Sequence, residues 1–154
     1  MYLRPDAKML QHAQSLFKPG IQEYTKQAVF QKNAIVFREC IGISYYEDDA
    51  LPENRIMASI AAESMLSIAS VKAAFALCTI NEDIHISARS DGSINVAKIA
   101  ERLGGGGRFE AAAVVMQGVS IKGAMTELRK AIDDYNMIDD GDKKENLTNA
   151  LLKF

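Results

Sequence analysis

The chain contains no tryptophan and only two histidines, two cysteines and three prolines among its 154 residues. Each shortage closes a class of protein. His12 and His85 have no spaced Asp/His cluster around them, so the sequence offers no metal site of its own. Cys40 and Cys78 stand singly in apolar surroundings, which points to buried thiols and not to a disulfide or a metal pair. No apolar run approaches the ~20 residues that cross a bilayer, and no signal-peptide pattern shows. The expectation is a segment without direct membrane contact, in a reducing, cytoplasmic compartment. A basic excess is missing too: the net charge is -2. That excludes a general nucleic-acid or membrane-surface binder while leaving room for a local basic pocket. With aromatics at 7% there is no series of rings to stack along a nucleic-acid strand.

What is present is the composition of one soluble globular domain, 48% hydrophobic and 25% charged. Met9, Leu10, Ala13, Leu16 and Phe17 recur at helical spacing, and Lys18-Pro19-Gly20 breaks that helix. A second helix places Ile21, Tyr24, Ala28 and Val29 on one face. From Ala34 the pattern turns extended. Two strands, Ala34–Phe37 and Ile41–Tyr46, are joined by a turn at Arg38-Glu39-Cys40, which keeps Glu39 out of the core. Pro52-Glu53-Asn54 opens a helix with Met57, Ile60, Ala61, Ser64, Met65 and Ile68 inward. Lys72 to Ile80 is apolar on both parities, as a central strand covered on both faces requires. Ile84 to Arg89 alternates: Ile84, Ile86 and Ala88 face one way, and His85, Ser87 and Arg89 the other.

Asn95 is a good N-cap for a short helix ended by Gly104. Ala111 begins a helical turn passing into a strand at Ala113–Gln117, and Ser120 caps a last helix through Tyr135. Asp139 to Lys144 reads as a solvated connection before a tail or short helix. The expected fold is α/β, a mixed sheet of about five strands flanked by helices. The expected parts are an N-terminal helical connector (1–32), a substrate-binding domain (33–138) and a tail (139–154).

The stretch from Ser87 to Ala113 carries the chemistry. Four consecutive glycines are costly to order, so they suit a place where something approaches the backbone closely or where φ is positive. Bare amides beside the Arg108 guanidinium suggest that the visitor is an anion, most plausibly a phosphate. A flexible linker is the competing reading, but a helix before the run and a tight Ala/Val segment after it are not linker-like. The glycines follow a helix, unlike a dinucleotide fingerprint, and Gly107-Arg108-Phe109 does not end a Walker-type loop. No nucleophile and base are placed together. The candidate phosphate or nucleotide ligands are Ser87, Arg89, Ser90, Asn95, Gly104, Gly105, Gly106, Gly107 and Arg108, with no catalytic or metal residue. Asn95 serves first as a helix cap, and Ser87 and Ser90 are equally readable as polar strand ends.

Ile86-Ser87-Ala88-Arg89-Ser90, then Asn95-Val96, then Leu103 through Arg108 and Ala111-Ala112 resemble the C-terminal, DHH-associated domain of the DHH (Asp-His-His) phosphoesterases. The wording is most similar to that of the cyclic di-adenosine-monophosphate phosphodiesterases of the GdpP type, over roughly Ala28 to Tyr135. The resemblance implies a substrate-binding half whose Gly-Gly-Gly-His loop holds the substrate phosphate. It implies a manganese-binding DHH domain preceding it in cis, and hence that this chain is part of a longer hydrolase, with Tyr2 to Lys32 as the connector. No Asp-His-His motif is present here, so no cofactor is expected in this chain itself. Where the family has histidine after the glycines, this chain has Arg108, which can grip phosphate but cannot exchange a proton at working pH. Related readings keep the fold but change the substrate to short oligoribonucleotides or a bisphosphorylated nucleotide. A non-catalytic nucleotide- or nucleic-acid-binding module is a further alternative. A homodimer would be favoured if Phe37, Tyr45 or Tyr46 were exposed on an edge strand.

Overall fold

The computed structural model describes residues 20–152, with side chains to residue 136. The expected helix from Asp6 to Phe17 lies outside the described residues. The elements run α1 (Ile21–Asn33), β1 (Ile35–Phe37), β2 (Ile41–Tyr46), α2 (Asn54–Met65), β3 (Ala73–Ile80), β4 (Asp83–Ser90), α3 (Val96–Arg102), β5 (Gly106–Gly107), β6 (Ala111–Met116) and α4 (Ile121–Leu152).

The strands form one sheet in the order β1-β2-β3-β4-β6-β5. β2 and β3 pair parallel and the remaining pairs are antiparallel, so the sheet is mixed, as expected. Helix α2 makes the crossover between the two parallel strands. Among the described residues the sheet has six strands, in line with the expected five or so; the added one is Gly106–Gly107, which has no side-chain alternation to announce it.

Two layers of core sandwich the sheet. β3 supplies both, since its side chains point alternately to either face and all but Thr79 are buried. Phe75, Leu77, Ile86, Ala88, Ala112 and Val114 pack beneath α3 and α4. Ala74, Ala76 and Cys78 on the opposite parity pack against Phe30 of α1 and Met57, Ala58, Ala61 and Ala62 of α2. Cys78 is a buried thiol whose pKa burial pushes up to about 12. Cys40 lies at the opposite end of the paired strands, and neither cysteine is in a disulfide.

The β1–β2 turn is Arg38-Glu39-Cys40, where the hydrophobic parity put it. Arg38 and Glu39 hold φ of 52° and 69°, costly for residues with a Cβ. The Arg38 guanidinium offsets part of that cost with two hydrogen bonds to Asp133 on α4.

Four expectations change. Of the expected α1 face, Ile21, Tyr24 and Ala28 are exposed and Val29 is half-buried, while the buried residues of the helix are Lys26 and Phe30, so the apolar count chose the wrong face. The α2 stripe is Met57, Ala58, Ala61, Ala62 and Met65; Ser64 and Ile68 are exposed and Ile60 half-buried. Ala111 is already in strand, with no helical turn before it. α4 continues through Asp139–Lys144 to Leu152, where a connection was expected. Of the three aromatics, only Phe37 is on the edge strand β1, and it is half-buried; Tyr45 (half-buried) and Tyr46 (buried) are on the interior strand β2, and the exposed apolar residues of β1 are Ile35 and Val36. No helix among the described residues is long and apolar enough to cross a membrane.

Candidate phosphate-binding groove

α2 covers β3 and part of β4 but leaves β6 bare on the same face of the sheet. Between α2 and the glycine strand β5 lies an open groove of about 270 Å³. Its floor is Ser87 and Arg89 of β4 with Ala111, Ala112 and Ala113 of β6, and its far wall is Gly106, Gly107 and Arg108. Small floor residues keep it open: a bulky side chain at Ala113, paired with Ser87 across the ladder, would fill it.

Strand alternation delivers Ser87 and Arg89 here, since Ile84, Ile86 and Ala88 take the opposite, buried face. The Arg89 guanidinium donates to the Ala88 carbonyl at 2.8 Å and sits 3.7 Å from Glu63, itself largely exposed. That loose pair contributes little and can yield to an incoming anion. The Ser87 hydroxyl is 3.2 Å from that of Ser59 on α2. Arg108 is exposed at the rim, and its backbone N–H closes a tight turn onto the Ala111 carbonyl at 2.7 Å.

The glycines divide by role. Gly104, with φ of 83°, ends α3. A Cβ on Gly105 would come 2.2 Å from the Ala113 carbonyl, and one on Gly107 2.5 Å from the Ala111 carbonyl. Both glycines are therefore required by the close approach of β5 to β6. Gly106 alone has neither a positive φ nor a neighbour that a Cβ would meet, and it faces the groove. The run is not a string of bare amides. The N–H of Gly104 bonds the Glu101 carbonyl, that of Gly105 the Ala100 carbonyl, and that of Arg108 is spent as described.

Two expected ligands fall elsewhere. Ser90 shares the parity of Ile86 and Ala88, and its hydroxyl accepts from the N–H of Gly92 and Ile94, which shapes the loop leading to α3. Asn95 accepts from the N–H of Ala97 and Lys98 as the N-cap of α3. Neither lines the groove, and Gly104 and Gly105 support it from behind. Two lining residues escaped the sequence reading, Arg55 and Ser59 of α2. Their spacing of four puts them on one helix face, but nothing local says that this face meets β4. Among the described residues no three His, Cys, Asp or Glu side chains come together in a metal-binding arrangement.

A second polar cluster, beside α1, is structural. The buried Lys26 ammonium bonds Glu53 at 2.6 Å, the Asn54 side-chain carbonyl at 2.8 Å and Asp49 at 3.3 Å. Asn54, wholly buried, donates to the Asp49 carboxylate and to the Thr79 carbonyl. Tyr46 donates to Asp49 at 2.8 Å. Burial pushes the Asp49 pKa up, but donors from Asn54, Tyr46, the Leu51 N–H and Lys26 outweigh it and bring it down to about 2. Burial works against the Lys26 charge, and its bonds to Glu53 and Asp49 carry its pKa above the ordinary value.

The DHHA1 domain model matches residues 47–137, from the end of β2 into α4. The cyclic-di-AMP phosphodiesterase GdpP of Bacillus subtilis (strain 168) is 34% identical over 141 residues, covering 87% of this chain and 21% of that protein. The cyclic-di-AMP phosphodiesterase PdeA of Listeria monocytogenes is 36% identical over 125 residues, covering 79% of this chain and 19% of the relative. The chain thus spans about a fifth of the length of these curated relatives. Among solved structures, an exopolyphosphatase-related protein from Bacteroides fragilis superposes with a TM-score of 0.67 at 18% identity. The superposition covers 79% of this chain and 37% of the other, and it speaks to the fold alone. With the model match spanning the groove and every strand from β3 onward, this chain belongs to the DHHA1 domain family.

Proposed function

We propose that this chain is the phosphate-holding half of a phosphodiesterase that opens cyclic di-adenosine monophosphate to the linear dinucleotide. The observation that carries the reading is the convergence of Arg89, Ser87, Gly106 and Arg108 on one open groove with an alanine floor. Guanidiniums at the floor and the rim neutralise a phosphodiester, and their planar forks fix its orientation. The Ser87 hydroxyl adds a donor, and Gly106 lets the ligand approach without a side chain in the way. Such an arrangement binds and orients; it supplies no nucleophile.

The likeness to cyclic-di-AMP phosphodiesterases supports a DHH-type catalytic domain in the same polypeptide, and the reading sets both domains in the cytoplasm. Manganese held by that domain would supply the activated water. An arginine binds phosphate and does not serve as a proton donor, so with Arg108 after the glycines proton transfer to the leaving oxygen comes from outside the glycine loop.

An amide chemical-shift titration of this chain with cyclic di-AMP tests the reading. Shifts concentrated at Gly106–Arg108 and Ser87–Arg89, weakening only mildly as salt rises, are expected of a compact phosphate pocket, unlike an extended nucleic-acid track. Shifts scattered over the surface, or none at millimolar ligand, would overturn it.

A further inference from the structure

We infer that Arg55 and Ser59, both on α2, form a second arm of the groove, so that the phosphate is gripped from the helix side as well as from the glycine side. The inference rests on the reading that the groove holds a phosphate, and it adds residues that lie outside the motif from Ser87 to Arg108.

Arg55 and Ser59 sit one helical turn apart and both line the groove, opposite Gly106–Arg108. Ser59 is held in place: its hydroxyl reaches the Arg55 carbonyl at 3.1 Å and the Ser87 hydroxyl at 3.2 Å. Helix and floor are thereby tied together at the point where the ligand would rest. Arg55 is exposed and, among the described residues, pairs with no carboxylate. Arg108 is in the same position, and Arg89 has only its loose contact with Glu63. Three guanidiniums around one groove repel one another, and a bound anion relieves that repulsion in proportion to its charge. A ligand with two phosphate charges, as a cyclic dinucleotide has, satisfies three arginines better than a single diester does. The surface then continues over Pro52, Ile56 and Ile60, still bordered by Arg55, Ser59 and Arg89. Arg55 therefore stands where the charged groove meets an apolar shelf.

The test is calorimetric titration of the chain with cyclic di-AMP, using Arg55→Ala, Arg55→Lys, Ser59→Ala and a control, Lys122→Ala. Lys122 is exposed on α4, on the opposite face of the sheet, so its variant makes the same change in net charge away from the groove. Arg55→Ala should weaken binding by about tenfold, the worth of one charge-assisted hydrogen bond in a half-open site. Arg55→Lys should recover part of that, since it keeps the charge but loses the fork. Ser59→Ala should weaken binding a few-fold, and Lys122→Ala should leave it unchanged. The exposure of Arg55 makes its variants safe for folding, and their amide spectra should overlay that of the parent. If the parent binds and Arg55→Ala binds as tightly, the second arm is refuted while the groove stands. If Lys122→Ala weakens binding as much as Arg55→Ala, the effect is net charge and the second arm is again refuted. If the parent does not bind and the Gly106–Arg108 amides do not move, the groove reading itself has failed.

Discussion

The hydroxyls of Ser59 and Ser87 stand 3.2 Å apart, one carried by α2 and the other by β4. Their contact marks the line along which helix and sheet stop packing and the groove begins. Ser87→Ala leaves the Ser59 hydroxyl its bond to the Arg55 carbonyl, so the stability cost should be at most about 1 kcal/mol. Affinity for cyclic di-AMP should fall several-fold, because the floor loses a donor. Thermal unfolding beside calorimetry separates the two effects. A large drop in Tm with unaltered affinity would show that the pair is a packing contact only.

The four glycines give a sharper contrast. Gly105→Ala and Gly107→Ala force a Cβ within 2.5 Å or less of a β6 carbonyl, so β5 must peel away at a cost of roughly 2–4 kcal/mol. Gly106→Ala meets no atom and needs no unusual φ, so its stability should stay within about 0.5 kcal/mol of the parent. Its methyl instead enters the groove and should weaken ligand binding. Equal destabilisation by all three substitutions would show that Gly106 also serves the fold.

Acid should loosen the cluster around Lys26. The Asp49 carboxylate is held at about 2 against an ordinary 3.8, so the folded state binds fewer protons than the unfolded chain between those values. Its contribution is whole above 3.8 and is lost as the pH falls toward 2. Asn54→Ala leaves Lys26 and the Thr79 carbonyl short of a partner in the interior and should cost roughly 2–4 kcal/mol at neutral pH. It should also flatten the acid limb of a stability-against-pH curve. An acid limb identical to that of the parent would place the titrating carboxylate elsewhere.

His85 shares the strand face of Ser87 and Arg89. Burial and then the positive charge of Arg55 hold its pKa below 6.5, against the pull of Asp83. The folded state therefore takes up fewer protons than the unfolded chain as the pH drops through 6.5, and stability falls with it. Arg55→Ala removes the charge but not the burial, so the imidazole pKa should rise part of the way toward its ordinary value. A proton-shift titration of His85 reads this directly. An unchanged midpoint would mean that the Arg55 charge does not reach the ring.

Much of this was legible in the residues, and the parts that were not have definite causes. The alternation of Ile84 to Arg89 reports burial directly, which is why the sequence by itself sends Ser87 and Arg89 to one face. That same alternation puts Ser90 on the other face, and its hydroxyl serves a turn. The Arg38-Glu39-Cys40 turn followed from the need to keep a carboxylate out of the core. β5 was illegible because glycine carries no pattern. The face of α1 was misread because a lysine reads as solvated until its partners are known, and those partners lie 23, 27 and 28 residues along the chain. Arg55 and Ser59 were missed for the same reason: Ser59 and Ser87 are 28 residues apart, and only the tertiary fold brings them together.

The Lys26 ammonium has a consequence for how the molecule breathes. Its bonds to Glu53 and Asn54 fasten α1 to the very start of α2, one residue before Arg55. Fraying α1 would leave the wholly buried Asn54 side-chain carbonyl without its ammonium partner and cut the anchor of α2, so the two helices should open as one cooperative unit. Native-state hydrogen exchange would show their slow amides sharing a single opening free energy, and Lys26→Met would split it in two. A connector that had merely been resting on the domain would exchange by itself. With the coupling in place, the groove wall that carries Arg55 should hold its shape only while α1 is docked.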